Sequence, residues 1–136
     1  MPEQSPPART EKSPNVTMYS PRNGIDPRSL LPLGDPAAIG GEVLSGNPQL
    51  SGRFDLRADN LTAGVFLTTT GAFRVTFPFT EHATILEGEV TLTDEQSGES
   101  RTLGPGDSYL IRQNQTVRVD VRSSHLIKSF FNVVER

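Results

Sequence analysis

The chain has 136 residues, 13 basic and 16 acidic side chains and a formal charge of −3, which fits one domain and lacks the basic surplus of a generic nucleic-acid binder. It holds no cysteine, which excludes disulfides and thiolate metal sites, and no apolar run of membrane-spanning length. The first twenty residues have no apolar core of a secretory signal, so we expect a cytoplasmic protein with no membrane partner.

Proline is distributed unevenly, with eight of eleven at or before Pro36. Residues 1–22 are rich in Pro, Ser and charge without apolar periodicity, and read as a disordered or extended N-terminal arm. Within the arm, Val16-Thr17-Met18-Tyr19 is a short apolar patch able to pair as an edge strand. Residues 23–41 are punctuated by Gly and Pro and read as a lead-in segment over the following domain. There Asp26-Pro27 is suited to capping one turn of helix, because Asp accepts from free backbone amides and Pro tolerates the first helical position.

From residue 42 to 136 the apolar period is that of strands. Short strands are expected at Glu42–Leu44, Gly52–Arg57, Leu61–Thr69 and Ala72–Phe77, with Thr70-Gly71 as a turn between the last two. A strand from Glu81 enters a tight corner at Glu87-Gly88 and leaves as Glu89–Thr93. Asp94–Ser100 reads as a polar hairpin tip, and Gly104-Pro105-Gly106-Asp107 as a second corner before Ser108–Ile111. Thr116–Val121 and Leu126–Val134 follow, with a turn at Ser123-Ser124-His125 between them. Eight to ten strands with turns at this spacing and no long helix mean an all-β sandwich or barrel.

Three stretches carry a family resemblance: Phe73-Arg74-Val75-Thr76-Phe77, Ile85 to Glu95, and Gly104-Pro105-Gly106-Asp107. Together they resemble the cupin superfamily, whose fold is a double-stranded β-helix or jelly-roll barrel of the RmlC-like type. The closest likeness is to the small single-domain branch related to the cupin domain of (S)-ureidoglycine aminohydrolases and to ethanolamine-utilisation cupins, and it covers about Leu61 to Val134. The resemblance implies that Glu81, seven residues before Gly88, points into the barrel at a position where relatives hold a metal. The accompanying histidines are missing. Upstream of Glu81 the corresponding stretch holds Arg74, Val75, Thr76 and Phe77, and the later histidine position falls on Val117. One carboxylate does not hold a transition ion that needs three or four ligands, so no metal and no other cofactor is expected.

A buried carboxylate requires a compensating cation. The motif alignment puts Arg74 and Arg112 nearby, either to pair Glu81 or to read the carboxylate of a small ligand. Tyr109 supplies a further hydroxyl or packs between sheets, and Phe66 is taken as a pocket wall among phenylalanines that are otherwise mostly core. His82 follows Glu81 directly and so faces the opposite side of its strand, near a dimer interface; His125 sits in a surface turn.

Three functions follow as expectations. The first is a metal-free cupin binding a small anionic or amino-acid-like metabolite, as a sensor or accessory factor. The second is an enzyme of the aminohydrolase or ethanolamine-utilisation branch using Glu81, and the third a structural module with a filled barrel. Missing histidines lean against an enzyme. Low apolarity, 34% of residues, favours a homodimer that covers one sheet.

Overall fold

The computed structural model describes residues 15–21 and 24–136, so most of the arm assigned to residues 1–22 lies outside the described residues. Nine strands follow in order: β1 (Leu31–Gly34), β2 (Glu42–Gly46), β3 (Leu50–Arg57), β4 (Leu61–Thr76), β5 (Thr80–Glu87), β6 (Val90–Asp94), β7 (Ser100–Leu103), β8 (Ser108–Ile111) and β9 (Thr116–Val133). The only helical elements among the described residues are short 3-10 turns at Pro27–Ser29 and Pro36–Ile39. Asp26 caps the first by accepting from the Arg28 amide, as its sequence suits it to do.

Two pairs of expected strands are single long ones. β4 runs for 16 residues through Thr70-Gly71, and β9 for 18 residues through Ser123-Ser124-His125. They pair antiparallel along their whole length, from Leu61 opposite Val133 to Thr76 opposite Thr116. The turn residues do not end either strand because they form a joint bulge. The register moves from Thr69 opposite His125 to Gly71 opposite Val121, and the Thr70 hydroxyl donates to the Ser123 and Ser124 carbonyls at 2.6 and 3.2 Å. The backbone polar groups that a turn would leave free are thus satisfied in place, and the ladder bends instead of stopping. Gly71 sits at φ +148, and a Cβ there would come within 2.6 Å of the Pro48 ring. β1 and β7 add to the strands expected from the sequence.

The bend divides the strands into two facing half-sheets. One carries β1-β3-β4-β9-β5-β8; in the other, β2 and β6 flank the remaining halves of β4 and β9, and β7 continues from β6. Every pairing is antiparallel, and the arrangement is an all-β jelly roll. Alternating residues fill the space between: Phe73 and Val75 from β4, Ile85 from β5, Val90 from β6, and Val117, Val119 and Val121 from β9. Hydroxyl pairs such as Thr91–Thr102 and Thr93–Ser100 span β6 and β7.

A second, smaller cluster lies on the opposite face of the long half-sheet. Val65, Leu67, Leu86 and Ile127 project there and are covered by Leu30, with Tyr19 and Ile25 packed beside it. Val16–Tyr19 forms no strand; Tyr19 instead donates its hydroxyl to Asp55 at 2.7 Å. Among the described residues no helix is long and apolar enough to cross a membrane.

Candidate functional site

Because side chains alternate along a strand, β5 sends Glu81, Ala83 and Ile85 inward and His82 and Thr84 outward. β9 likewise sends Leu126, Phe130 and Asn132 inward, and Lys128 shares their face. Register then places the polar members together. Glu81 lies opposite Asn132 on β9 and Ile111 on β8, while Tyr109 lies opposite Ala83 one pleat along. Lys128 starts opposite Ile85 and Phe66, and its long stem brings the ammonium back to Glu81.

The three side chains form a closed hydrogen-bonded triangle. Lys128 Nζ donates to Glu81 Oε2 and to the Tyr109 hydroxyl oxygen, each at 2.6 Å, and the Tyr109 hydroxyl donates to Glu81 Oε2. The Lys128 ammonium also stands 5.4 Å from the ring centres of both Phe66 and Tyr109, within reach of the negative ring faces. Glu81 is only 4% exposed. Burial first, and then the Glu81 charge and hydrogen bond, hold the Tyr109 hydroxyl well above its ordinary pKa, so it stays a donor across the neutral range.

The triangle lies in the wall of a cavity of about 520 Å³. Phe54, Phe66, Phe73, Phe77, Leu126 and Phe130 supply apolar walls. Phe130 meets Phe54 and Phe66 edge to face at 5.9 and 6.4 Å, an arrangement that fixes these rings. The β3–β4 hairpin at Ala58, Asp59 and Asn60 and the β4–β5 link at Pro78 and Phe79 also border it. Asn132, opposite Glu81, keeps its Oδ1 buried with no hydrogen-bond partner.

Of the residues expected from sequence, Glu81, Tyr109 and Phe66 line this cavity, and Arg74 and Arg112 do not. The expectation that arginine holds Glu81 is corrected: Lys128 holds it. Phe73 and Val75 face inward, so Arg74 must face out, where it bonds Glu95 at 2.9 Å and Glu42 at 3.1 Å. Arg112 lies just past the end of β8 and grips Glu135 through two bonds of 3.0 and 2.9 Å. Both guanidiniums keep raised pKa values, each chiefly through its hydrogen bond to a carboxylate.

Lys128 and Asn132 escaped the sequence reading. Their signal was parity: in Leu126, Lys128, Phe130 and Asn132 the two polar residues share the face of two apolar ones. His125 is not in a turn. It lies within β9 and its Nε2 is 3.0 Å from Glu87 Oε1. His82 faces outward, flanked across the ladder by Leu110 and Phe131. Of the phenylalanines expected mostly in the core, Phe131 is 41% exposed.

The metal that histidine-bearing cupins carry does not fit here. Among the described residues no group of three or more His, Cys, Asp and Glu could hold an ion, and an ammonium already occupies the open side of Glu81.

Comparison with solved structures supports the same architecture at low identity. EutQ of Clostridium difficile aligns with a TM-score of 0.57 at 11% identity, covering 64% of this chain and 69% of that one. A protein of unknown function from Pseudomonas syringae, of the DUF861 family, aligns with a TM-score of 0.66 at 22% identity over 76% of this chain; the match spans 44% of its length. The polyketide cyclase RemF of Streptomyces resistomycificus aligns with a TM-score of 0.54 at 17% identity, covering 64% of this chain and 66% of that one. No curated protein matches the sequence. The family model for the EutQ-like cupin domain matches residues 56–130, from the end of β3 through the inward-facing Lys128 and Phe130 of β9, and on that match, over more than half its length, the chain belongs to the EutQ-like cupin domain family.

Proposed function

We propose that the protein binds a small metabolite inside the barrel, as a sensor or accessory factor that uses no metal. The observation that carries this reading is a largely apolar cavity with one compact polar group, Glu81–Tyr109–Lys128. A barrel serving only as a structural module would gain from filling that space with side chains, and would have no use for a charged pair on its wall. Of the two expected ligand kinds, an anion is the less favoured, since Lys128 is already matched by Glu81. A molecule presenting both a donor and an acceptor, as amino-acid-like compounds do, fits better. A thermal-shift screen over carboxylates, ureides, polyamines and uncharged aromatic amides tests the reading. A true ligand raises the melting temperature of the wild type, and by less that of Phe66→Trp, whose larger ring narrows the cavity; no shift with any compound in the screen would remove the proposal.

The enzymatic reading has one specific observation in its favour. The Tyr109 hydroxyl and Glu81 share a proton path beside an ammonium, an arrangement able to protonate or deprotonate a bound substrate. Turnover of ureides by metal-free protein, lost in Glu81→Gln, would establish it.

The homodimer is proposed on the outer face of β8, β5 and β9. Leu110 at 63% exposure and Phe131 at 41% flank His82 there, a patch that a second copy would cover. Sedimentation should give a dimer at tens of micromolar, on the order of concentrations at which modest interfaces assemble, and Leu110→Lys a monomer.

A further inference from the structure

Asn132 and Lys128 hold the unspent hydrogen-bonding capacity of the cavity, and between them they define what the cavity should hold. This inference rests on the reading of the cavity as a ligand site. Asn132 is 8% exposed, and its buried Oδ1 has no donor. Buried acceptors are nearly always satisfied, so an orphan on a residue that lines a cavity marks a place where a donor belongs. Lys128 carries three N–H groups, and two are spent on Glu81 Oε2 and the Tyr109 oxygen. The Tyr109 hydroxyl spends its one donor on Glu81, and its oxygen accepts from Lys128. Both bonds to Glu81 fall on Oε2, so besides its Oε1 and the Asn132 amide nitrogen, what remains open is the Asn132 acceptor and one donor on Lys128, brought together by Glu81, which faces the first and bonds the second.

Charge narrows the class further. Glu81 and Lys128 cancel, and Asp59 at the rim is matched by Arg136, which leaves the exposed Arg57 guanidinium over the Phe54 ring as the one unmatched charge bordering the cavity among the described residues. A ligand charged at the end buried beside Glu81 and Lys128 would leave water for walls made mainly of phenylalanine and aliphatic side chains, with no unmatched counter-charge beside it. The geometry points to an uncharged, largely apolar, ring-bearing molecule that gives an N–H or O–H to Asn132 Oδ1 and offers a carbonyl oxygen to Lys128 Nζ. Primary and secondary amides, lactams and enolised ketones share this pattern. Flat rings would stack against the edge-to-face trio Phe54, Phe66 and Phe130.

Three probes of one shape test the assignment, with binding followed by nitrogen–proton correlation NMR of the full chain. Naphthamide has both donor and carbonyl, methyl naphthoate has the carbonyl alone, and naphthoate carries a charge. Naphthamide should bind at least about tenfold tighter than either other probe, because a site built to receive a hydrogen bond discriminates against ligands that cannot make it. It should also shift the Asn132 side-chain amide signals. In Asn132→Leu the preference over methyl naphthoate should fall to about twofold or less, since the acceptor that only the amide probe can use has gone. Naphthoate or methyl naphthoate binding the wild type as tightly as naphthamide would overturn the neutral donor–acceptor class, yet leave the cavity a ligand site. An undiminished preference in Asn132→Leu would overturn the role of Asn132. If none of the three binds the wild type, both the class and the ligand-site reading fall. The wild-type comparison stands whether or not the variant folds.

Discussion

Lys128 Nζ stands 2.6 Å from Glu81 Oε2, and the two side chains are 14% and 5% exposed, so each is the other's principal compensation for leaving water. Removing one partner leaves the other charged and buried. Lys128→Met should destabilise the fold by about 3–5 kcal/mol in urea melts, and Glu81→Gln by a smaller amount because Lys128 can still donate to Tyr109. The double variant should recover much of the loss, since an uncharged pair of similar volume avoids the desolvation penalty. If the double variant is as unstable as the sum of the singles, the two residues do not act as a pair.

The two tyrosines make the chain's alkaline behaviour readable. Burial and then the Asp55 hydrogen bond push Tyr19 up to about 12, and burial with Glu81 pushes Tyr109 higher than its ordinary 10.0. An ultraviolet titration should therefore show little tyrosinate at the pH where free tyrosine is half ionised. The sign for stability follows from linkage. Between the unfolded and folded pKa values the native state binds more protons, so stability is fully present below about pH 10 and falls as pH rises above it. Tyr109→Phe should flatten that decline, and at neutral pH should cost about 1–3 kcal/mol for the lost hydroxyl contacts. A wild type that forms tyrosinate near pH 10 would contradict the burial of Tyr109 and the bond from Tyr19 to Asp55.

Gly88 at the β5–β6 corner has φ +87, and a Cβ there would lie 2.1 Å from the His125 carbonyl oxygen. Both the left-handed backbone and the clash with a main-chain atom oppose any side chain. Gly88→Ala should cost about 2 kcal/mol or more, measured as a drop in chemical-denaturation midpoint. A variant as stable as the wild type would mean that β9 does not press on this corner.

Arg74 and Arg112 serve as contrasts. Their carboxylate partners lie on the exposed surface, where solvent screens ion pairs. Arg74→Ala and Arg112→Ala should leave the melting temperature nearly unchanged at physiological salt and leave naphthamide binding untouched. A loss of binding in either would return arginine to the site.

The corners and the strand periodicity were legible in the sequence because each is a local rule: positive φ wants glycine, and a pleat alternates. The fused strands were not. Thr70-Gly71 and Ser123-Ser124-His125 carry ordinary turn composition, and only their meeting across β4 and β9 turns two turns into one bulge. The site failed in the same way. Family spacing located Glu81, but its cation came from Lys128, 47 residues downstream and opposite Ile85, which no local pattern could pair with it. Alternation alone turns Arg74 outward, because it sits between inward Phe73 and Val75.

The end-to-end pairing of β4 with β9 sets the order of events in folding. Leu61 meets Val133 and Thr76 meets Thr116, so the central ladder joins segments far apart in sequence, and both half-sheets take their middle from it. A chain emerging from the ribosome has β5 and β6 waiting without their common neighbour until β9 is made. Closure of such distant contacts must precede the burial that rewards it, which slows the search. Before that closure β4 presents an open, apolar edge, and this is the interval in which the chain is most exposed to a chaperone or to another copy of itself.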